Sequence, residues 1–141
     1  MSDVPPLQPT PDERSRPFFD GAAAGRLMLQ HCSDCETWHY PVRARCSACG
    51  GTRIEWREAS GHGVLYTHGQ LRRVYHPDHE DRVPICLALV DLDEGVRMNA
   101  NLVQVGSRSV RAGMAVEVTF VAVGGAEGEG VPVPVFRPAE R

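Results

Sequence analysis

The sequence predicts a mainly β chain in three parts: a short N-terminal helix, a small metal-binding module and a five-stranded barrel. Two observations carry that prediction. Four of the five cysteines fall in two C-x-x-C pairs, Cys32-Ser-Asp-Cys35 and Cys46-Ser-Ala-Cys49, with ten residues between them. From Ser60 onward apolar and polar residues alternate with a period of two, the pattern of strands with one buried face.

The N-terminal part begins with a proline-rich lead-in over residues 1–9, expected to be extended. Thr10-Pro11-Asp12-Glu13 carries helix-start chemistry, with Thr as N-cap, Pro in the first turn and Glu three after the cap. Pro17 then restarts or kinks the helix, because it lacks an N–H and crowds the turn before it. From Pro17 to Ala24, Phe18 and Ala22, and Phe19 and Ala23, stand at i,i+4 spacing, and Gly25 suits the position just past a helix end. So short a helix must dock, either on its own domain or on another protein. The expected boundaries are 1–25 for the extension and helix, 26–57 for the metal module and 58–141 for the barrel.

In the metal module, Arg26 to His31 reads as a strand leading into Cys32, and Thr52 to Trp56 as a strand leaving the second pair. Each C-x-x-C lets two thiolates grip one side of a metal tetrahedron, and Gly50 and Gly51 allow the tight turn after Cys49. Four sulfurs favour zinc or iron and leave no open position for water, so Cys32, Cys35, Cys46 and Cys49 predict a structural Zn²⁺ in a zinc ribbon. A redox C-x-x-C would need one pair at a helix start beside a βαβ unit, which two symmetrical pairs between strands do not offer. A mononuclear iron centre has similar spacing and stays open. His31 and His39 flank the site, either as stand-in ligands or as strand-end or surface histidines. Trp38, Tyr40 and Trp56 either stack bases or cover the metal of a module with little core. Cys86, within Ile85-Cys86-Leu87-Ala88-Leu89, reads as a buried inert thiol.

In the barrel part, Val64 to Thr67 is β-prone, with Arg72 to Tyr75 open as its continuation. Val83 to Leu92 is a long aliphatic strand and Asp93-Glu94-Gly95 a turn. Val96, Met98, Ala100 and Leu102 then alternate with Arg97, Asn99 and Asn101. Ala115 to Val123 and Val131 to Phe136 complete the set, separated by an acidic glycine-rich loop from Gly124 to Gly130. The prolines of the last strand cannot donate ladder hydrogen bonds, which places it at an edge. A helical turn is expected only at Ser107 to Arg111. Five strands suit the OB-fold, a partly open Greek-key barrel, with an SH3-like barrel as second choice.

Composition narrows the function classes. There are fifteen arginines, no lysine and eighteen acids, for a net charge of −3. That balance gives no broad field for nucleic acid, so a nucleic-acid-binding ribbon and barrel is kept only as the alternative reading. The apolar run from Val83 to Val90 is too short to span a membrane, and the polar, acidic start resembles no export signal, so a cytoplasmic protein is expected. No nucleophile elbow, phosphate loop, dinucleotide fingerprint or paired catalytic carboxylate is present, so no catalytic residue is assigned. The polar segment from Leu71 to Arg82 lies where OB-folds often carry a ligand loop. Arg72, Arg73 and Arg82 there match phosphate oxygens, and His76, Asp78 and His79 read either as an acid–base or metal cluster or as a solvated loop.

The ordered features Arg16-Pro-Phe-Phe-Asp-Gly, Gly25-Arg-Leu-x-Leu-x-x-Cys32-x-x-Cys35, Pro41-x-Arg43-x-x-Cys46-x-x-Cys49-Gly50, Trp56-x-x-x-Ser60-Gly61-x-Gly63 and Pro84-Ile-x-Leu-Ala-Leu-Val-Asp-Leu-x-Glu-Gly95 together form a further pattern. It resembles the bacterial and archaeal family with an N-terminal helix, a rubredoxin-like zinc ribbon and a C-terminal OB-fold, catalogued as domain of unknown function 35. The resemblance covers about Thr10 to Pro138. It implies an accessory subunit of thiolase-like acyl-CoA enzymes, including thiolases and the lipid-transfer-protein-like aldolases of steroid side-chain degradation, with a MaoC-like hydratase as a further associate. It implies that the catalytic residues belong to the partner. On that reading Phe18 and Phe19 are candidates for the partner interface, and Arg72, Arg73 and Arg82 for the phosphates of an acyl-CoA.

Overall fold

The computed structural model describes residues 8–105, 109–124 and 130–139, with His79 as backbone alone. The lead-in up to residue 7, residues 107 and 108 of the expected turn, and the centre of the glycine-rich loop lie outside the described residues.

Helix α1 spans Arg16–Ala23. The Thr10 start signal is not used. Asp12 and Ser15 instead close a turn on each other: the Ser15 N–H donates to Asp12 Oδ1 at 2.8 Å, and the Asp12 N–H donates to Ser15 Oγ at 3.0 Å. Pro17 then sits in the first turn, where its missing N–H costs nothing, so it starts the helix rather than kinking one. Gly25, at φ +75°, ends it as expected.

The ribbon is a three-stranded antiparallel sheet in the order β2-β1-β3, with β1 at Met28–Cys32, β2 at Trp38–His39 and β3 at Ile54–Glu58. The sequence signals gave β1 and β3; β2 is only two residues long and carries no periodicity. The barrel follows, with β4 at His62–Leu71, β5 at Ile85–Leu92, β6 at Arg97–Leu102, β7 at Ala115–Val123 and β8 at Val131–Pro138. It closes in the order β4-β5-β6-β8-β7, with β7 returning to β4. The pairing of β6 with β8 is parallel and the other barrel pairs are antiparallel, which is OB-fold topology. Arg72 to Tyr75 does not extend β4. The chain leaves the sheet after Leu71 and forms a 3-10 turn at Pro77–His79, whose first amide, on Asp78, donates to His76 Nδ1 at 3.1 Å.

The last strand is no edge strand, and parity explains how it holds its prolines. Phe136 sits opposite Leu102 of β6, and its carbonyl accepts from the Val103 N–H at 2.8 Å. Backbone groups of successive residues point to opposite edges of a strand. Pro132, Pro134 and Pro138 share the parity of Phe136, so their missing donors all face away from β7. The ladder to β7 therefore runs unbroken from Val116↔Pro138 to Val123↔Val131.

Inside, Leu65, Val90, Met98, Val116 and Phe136 are almost wholly buried, as the period-two pattern requires. Leu27, Leu29 and Ala59 belong to the same cluster, so ribbon and barrel share one core. Helix α1 packs on both β1 and β8 and so spans the two. One tight point is Gly63, paired with Leu92 of β5 on one side and Val116 of β7 on the other. A Cβ there would collide with the Asp91 carbonyl, which is backbone and cannot yield cheaply. Gly63→Ala is expected to cost about 1–3 kcal/mol, read as a lowered urea midpoint with unchanged slope.

Candidate metal centre

The two C-x-x-C turns repeat one local geometry. The Glu36 N–H donates to the Cys32 carbonyl at 2.7 Å, and the Gly50 N–H donates to the Cys46 carbonyl at 2.9 Å. The Cys32 N–H in turn reaches the Thr37 carbonyl, as the Cys46 N–H reaches that of Gly51, both at 2.9 Å. The residue after each second cysteine is left-handed, Glu36 at φ 62° and Gly50 at φ 76°. Glycine marked the second turn in the sequence, whereas Glu36 accepts the strained conformation unmarked.

These turns bring the four Sγ atoms within 4.8 Å of one another, with Cys32 and Cys46 buried and Cys35 and Cys49 exposed. Cys32 and Cys49 sulfurs stand 3.7 Å apart, and Cys35 and Cys46 sulfurs 3.4 Å. A tetrahedron with Zn–S bonds of about 2.3 Å has edges of about 3.8 Å, so the cluster fits a four-thiolate metal ion. Among the described residues no further Cys, His or carboxylate joins it.

Donors around the sulfurs suit thiolates. The Ala48 N–H points to Cys46 Sγ at 3.3 Å, the Gly51 N–H to Cys49 Sγ at 3.4 Å, and the Thr37 hydroxyl lies 3.2 Å from Cys35 Sγ. Two of the thiols, Cys35 and Cys49, are pulled in opposite directions. The Thr37 side chain, then Cys46, draws Cys35 down to about 6. At Cys49 the Gly51 N–H pulls downward, yet the sulfurs of Cys32 and Cys35 leave it raised to about 12. A divalent cation removes that conflict by stabilising all four thiolates together.

Neither flanking histidine joins the four-sulfur group, and neither is at the surface. His39 is 4 % exposed and its Nε2 lies 3.2 Å from Cys46 Sγ. Burial first, then Arg43 and His31, lowers its pKa, which keeps the ring neutral with one N–H for the sulfur. His39→Ala is expected to weaken metal affinity about 10- to 100-fold, measured by competition with a chromophoric chelator. His31 is also buried, edge-on to Trp38 at 5.1 Å. The sequence held no sign of the clamp beside them: Gln30 Nε2 donates to the Arg43 carbonyl at 3.1 Å and Gln30 Oε1 accepts from its N–H at 2.8 Å, fixing the approach to the second turn.

The aromatics serve packing. Trp38, Tyr40 and Phe18 lie against the shared core. Phe18, Tyr40 and Trp56 wall a hollow of about 150 Å³ between α1 and the ribbon. Phe18 and Phe19 are both half-buried, ring edge to face at 5.2 Å. The loop arginines do not form one cluster. Arg72 and Arg73 follow β4, with Arg73 over the Tyr75 ring at 5.2 Å, while Arg82 precedes β5; all three are exposed. His76 caps the 3-10 turn and lies 3.7 Å from Asp78, so these two residues hold a turn together. Cys86 is buried in the barrel, and burial raises its pKa, as expected of an inert thiol.

Residues 19–55 match the family described as the ChsH2 rubredoxin-like zinc ribbon domain, and residues 56–121 the ChsH2 C-terminal OB-fold domain. A probable enoyl-CoA hydratase alpha subunit of Thermomonospora curvata is 35% identical over 122 residues, covering 86% of this chain and 36% of that protein. The chain thus spans about a third of that relative's length. A DUF35 domain-containing scaffold protein of Methanocaldococcus jannaschii is 33% identical over 67% of each chain. A solved structure described as an Ltp2-ChsH2(DUF35) aldolase superposes with a TM-score of 0.79 at 31% identity, over 94% of this chain and 100% of that one.

Proposed function

Because the chain belongs to the ChsH2/DUF35 family of zinc-ribbon and OB-fold proteins, we propose that it is a non-catalytic accessory subunit that binds a thiolase-like acyl-CoA enzyme and supports its activity. The full-length likeness to a chain of an Ltp2-ChsH2(DUF35) aldolase carries this reading. The reaction supported is acyl-CoA cleavage of aldolase or thiolase type, as in steroid or lipid side-chain breakdown, and an enoyl-CoA hydratase is a further associate. A closed four-thiolate zinc site, which offers substrate no open position, agrees with a bracing role.

The hollow walled by Phe18, Tyr40 and Trp56 is of a size for one apolar side chain of the partner, with Phe19 beside it. Arg72, Arg73 and Arg82 serve the phosphates of the acyl-CoA at the opposite end of the barrel strands. Tagged chain co-expressed with the thiolase-like enzymes of its own genome is expected to co-purify with one of them. A chain that elutes alone, and leaves each enzyme's activity unchanged, overturns the proposal. Among the described residues no helix is long and apolar enough to cross a membrane.

A further inference from the structure

The ribbon sheet ends in a free edge. Its order is β2-β1-β3, so among the described residues no strand lies beyond β3. The Ser33 N–H donates to the Arg53 carbonyl at 2.9 Å and the Ala59 N–H to the Leu27 carbonyl at 2.8 Å, at the two ends of an unshifted β1–β3 ladder. Backbone groups of successive residues point to opposite edges of a strand. Glu55 and Arg57 therefore use their N–H and C=O groups on β1, and Ile54, Trp56 and Glu58 turn theirs outward. Such a row is a template for another strand, and native edges are commonly blunted by proline, a bulge or charge. Ile54–Glu58 holds no proline and no register shift, and its charges are of both signs.

The order of those charges matters. Side chains alternate between faces along a strand, so Glu55 and Arg57 share one face, and Ile54 and Trp56 the other. Glu55 and Arg57 are exposed, and among the described residues neither makes an ion pair within the chain. Glu58, the other charge on the strand, is met by Arg26 at 3.6 Å. Laid antiparallel on a two-fold axis at Trp56, a second β3 sets Glu55 against Arg57 of the other copy, and Arg57 against its Glu55. These are the pairs without backbone bonds between them, where cross-strand residues approach most closely, about 4.5 Å between Cα atoms. The bonded pairs are Trp56 with Trp56 and Ile54 with Glu58, the residues whose backbone groups face outward. In the neighbouring registers the axis falls on Glu55 or on Arg57, which then faces its own like charge.

We infer that the free edge of β3 is a dimer interface, occupied by β3 of a second copy of this chain in an antiparallel, two-fold arrangement. Charge complementarity selects that occupant, since the strand is its own complement in one register. The assembly also closes. Pairing uses both β3 edges, and β2 at the far side of each sheet has two residues to offer a further strand. The inference goes beyond the partner role and does not require it.

Sedimentation equilibrium of the zinc-loaded chain from about 10 μM to about 1 mM, at low salt, is expected to show monomer and dimer, with the dimer weakened by added salt. Glu55→Arg and Arg57→Glu each set like charges opposite one another on both sides of the axis. Each is expected to weaken association about tenfold or more. An equimolar mixture of the two variants restores Arg against Glu on both sides, and is expected to associate as the unaltered chain does. Both positions are exposed, and zinc content reports that each variant is folded. In amide exchange the Trp56 N–H is expected to gain protection with concentration, while the Arg57 N–H is protected at every concentration. The inference is overturned if the unaltered chain stays monomeric throughout, or if the mixture associates no better than the single variants. None of these results touches co-purification with a thiolase-like enzyme, so the two readings fail separately.

Discussion

Cys46→Ser is expected to release the metal and unfold the ribbon while the barrel stays folded. The ribbon has one two-residue strand and two of five residues, with β3 largely exposed. A piece of that size lies below the length at which a hydrophobic core suffices, and a structural zinc supplies on the order of 10 kcal/mol or more at neutral pH. Cys46 is the most heavily engaged ligand, 2 % exposed and approached by the Ala48 N–H, His39 and Cys35. Serine in its place offers a hydroxyl that stays protonated at neutral pH. The check is zinc per chain by elemental analysis, with hydrogen exchange along the backbone. Amide protection should vanish over Met28–Cys32 and Ile54–Glu58 and persist at Val90 and Val116. Protected ribbon amides in metal-free protein would show that the sheet stands without its ion.

Phe136→Ala is expected to cost about 3–5 kcal/mol, a large share of the roughly 5–15 kcal/mol that holds a domain together. Among the described residues Phe136 is the largest side chain with no exposed surface, and its backbone makes the one pair between β6 and β8. Truncation leaves a cavity at the point where the barrel closes, with Leu102, Val118 and the ladder to β7 around it. The measurement is urea unfolding of zinc-loaded protein, where the midpoint should fall with little change in slope. A loss below about 1 kcal/mol would mean that the closure relaxes to fill the space.

Much of this arrangement was legible in the sequence, for physical reasons that differ between elements. The zinc ribbon was legible because metal ligation fixes residue types and spacing at once, so Cys32, Cys35, Cys46 and Cys49 stand out unaided. The β6 and β7 strands were legible because one face of each is buried and polarity alternates. The start of α1 was not, because Thr10 carries a genuine cap pattern that the Asp12–Ser15 turn overrides. The prolines of β8 misled, because β8 lies between β6 and β7: missing donors along one side of a strand do not make it an edge strand, and which side they face depends on the partners it finds after folding. Around the metal, His39, Thr37 and the Gln30 clamp act through distances that exist only after folding. Local sequence gives them no signature.

On the proposed function, zinc would act on the partner through shape, since ribbon and barrel share one core and α1 sits on both β1 and β8. The most direct measurement is the acyl-CoA cleavage rate of the thiolase-like partner with zinc-loaded chain, with zinc-stripped chain and with none. Zinc-loaded chain should raise the rate and stripped chain should not, with activity returning when zinc is restored. An equal rate in all three mixtures would contradict a bracing accessory subunit.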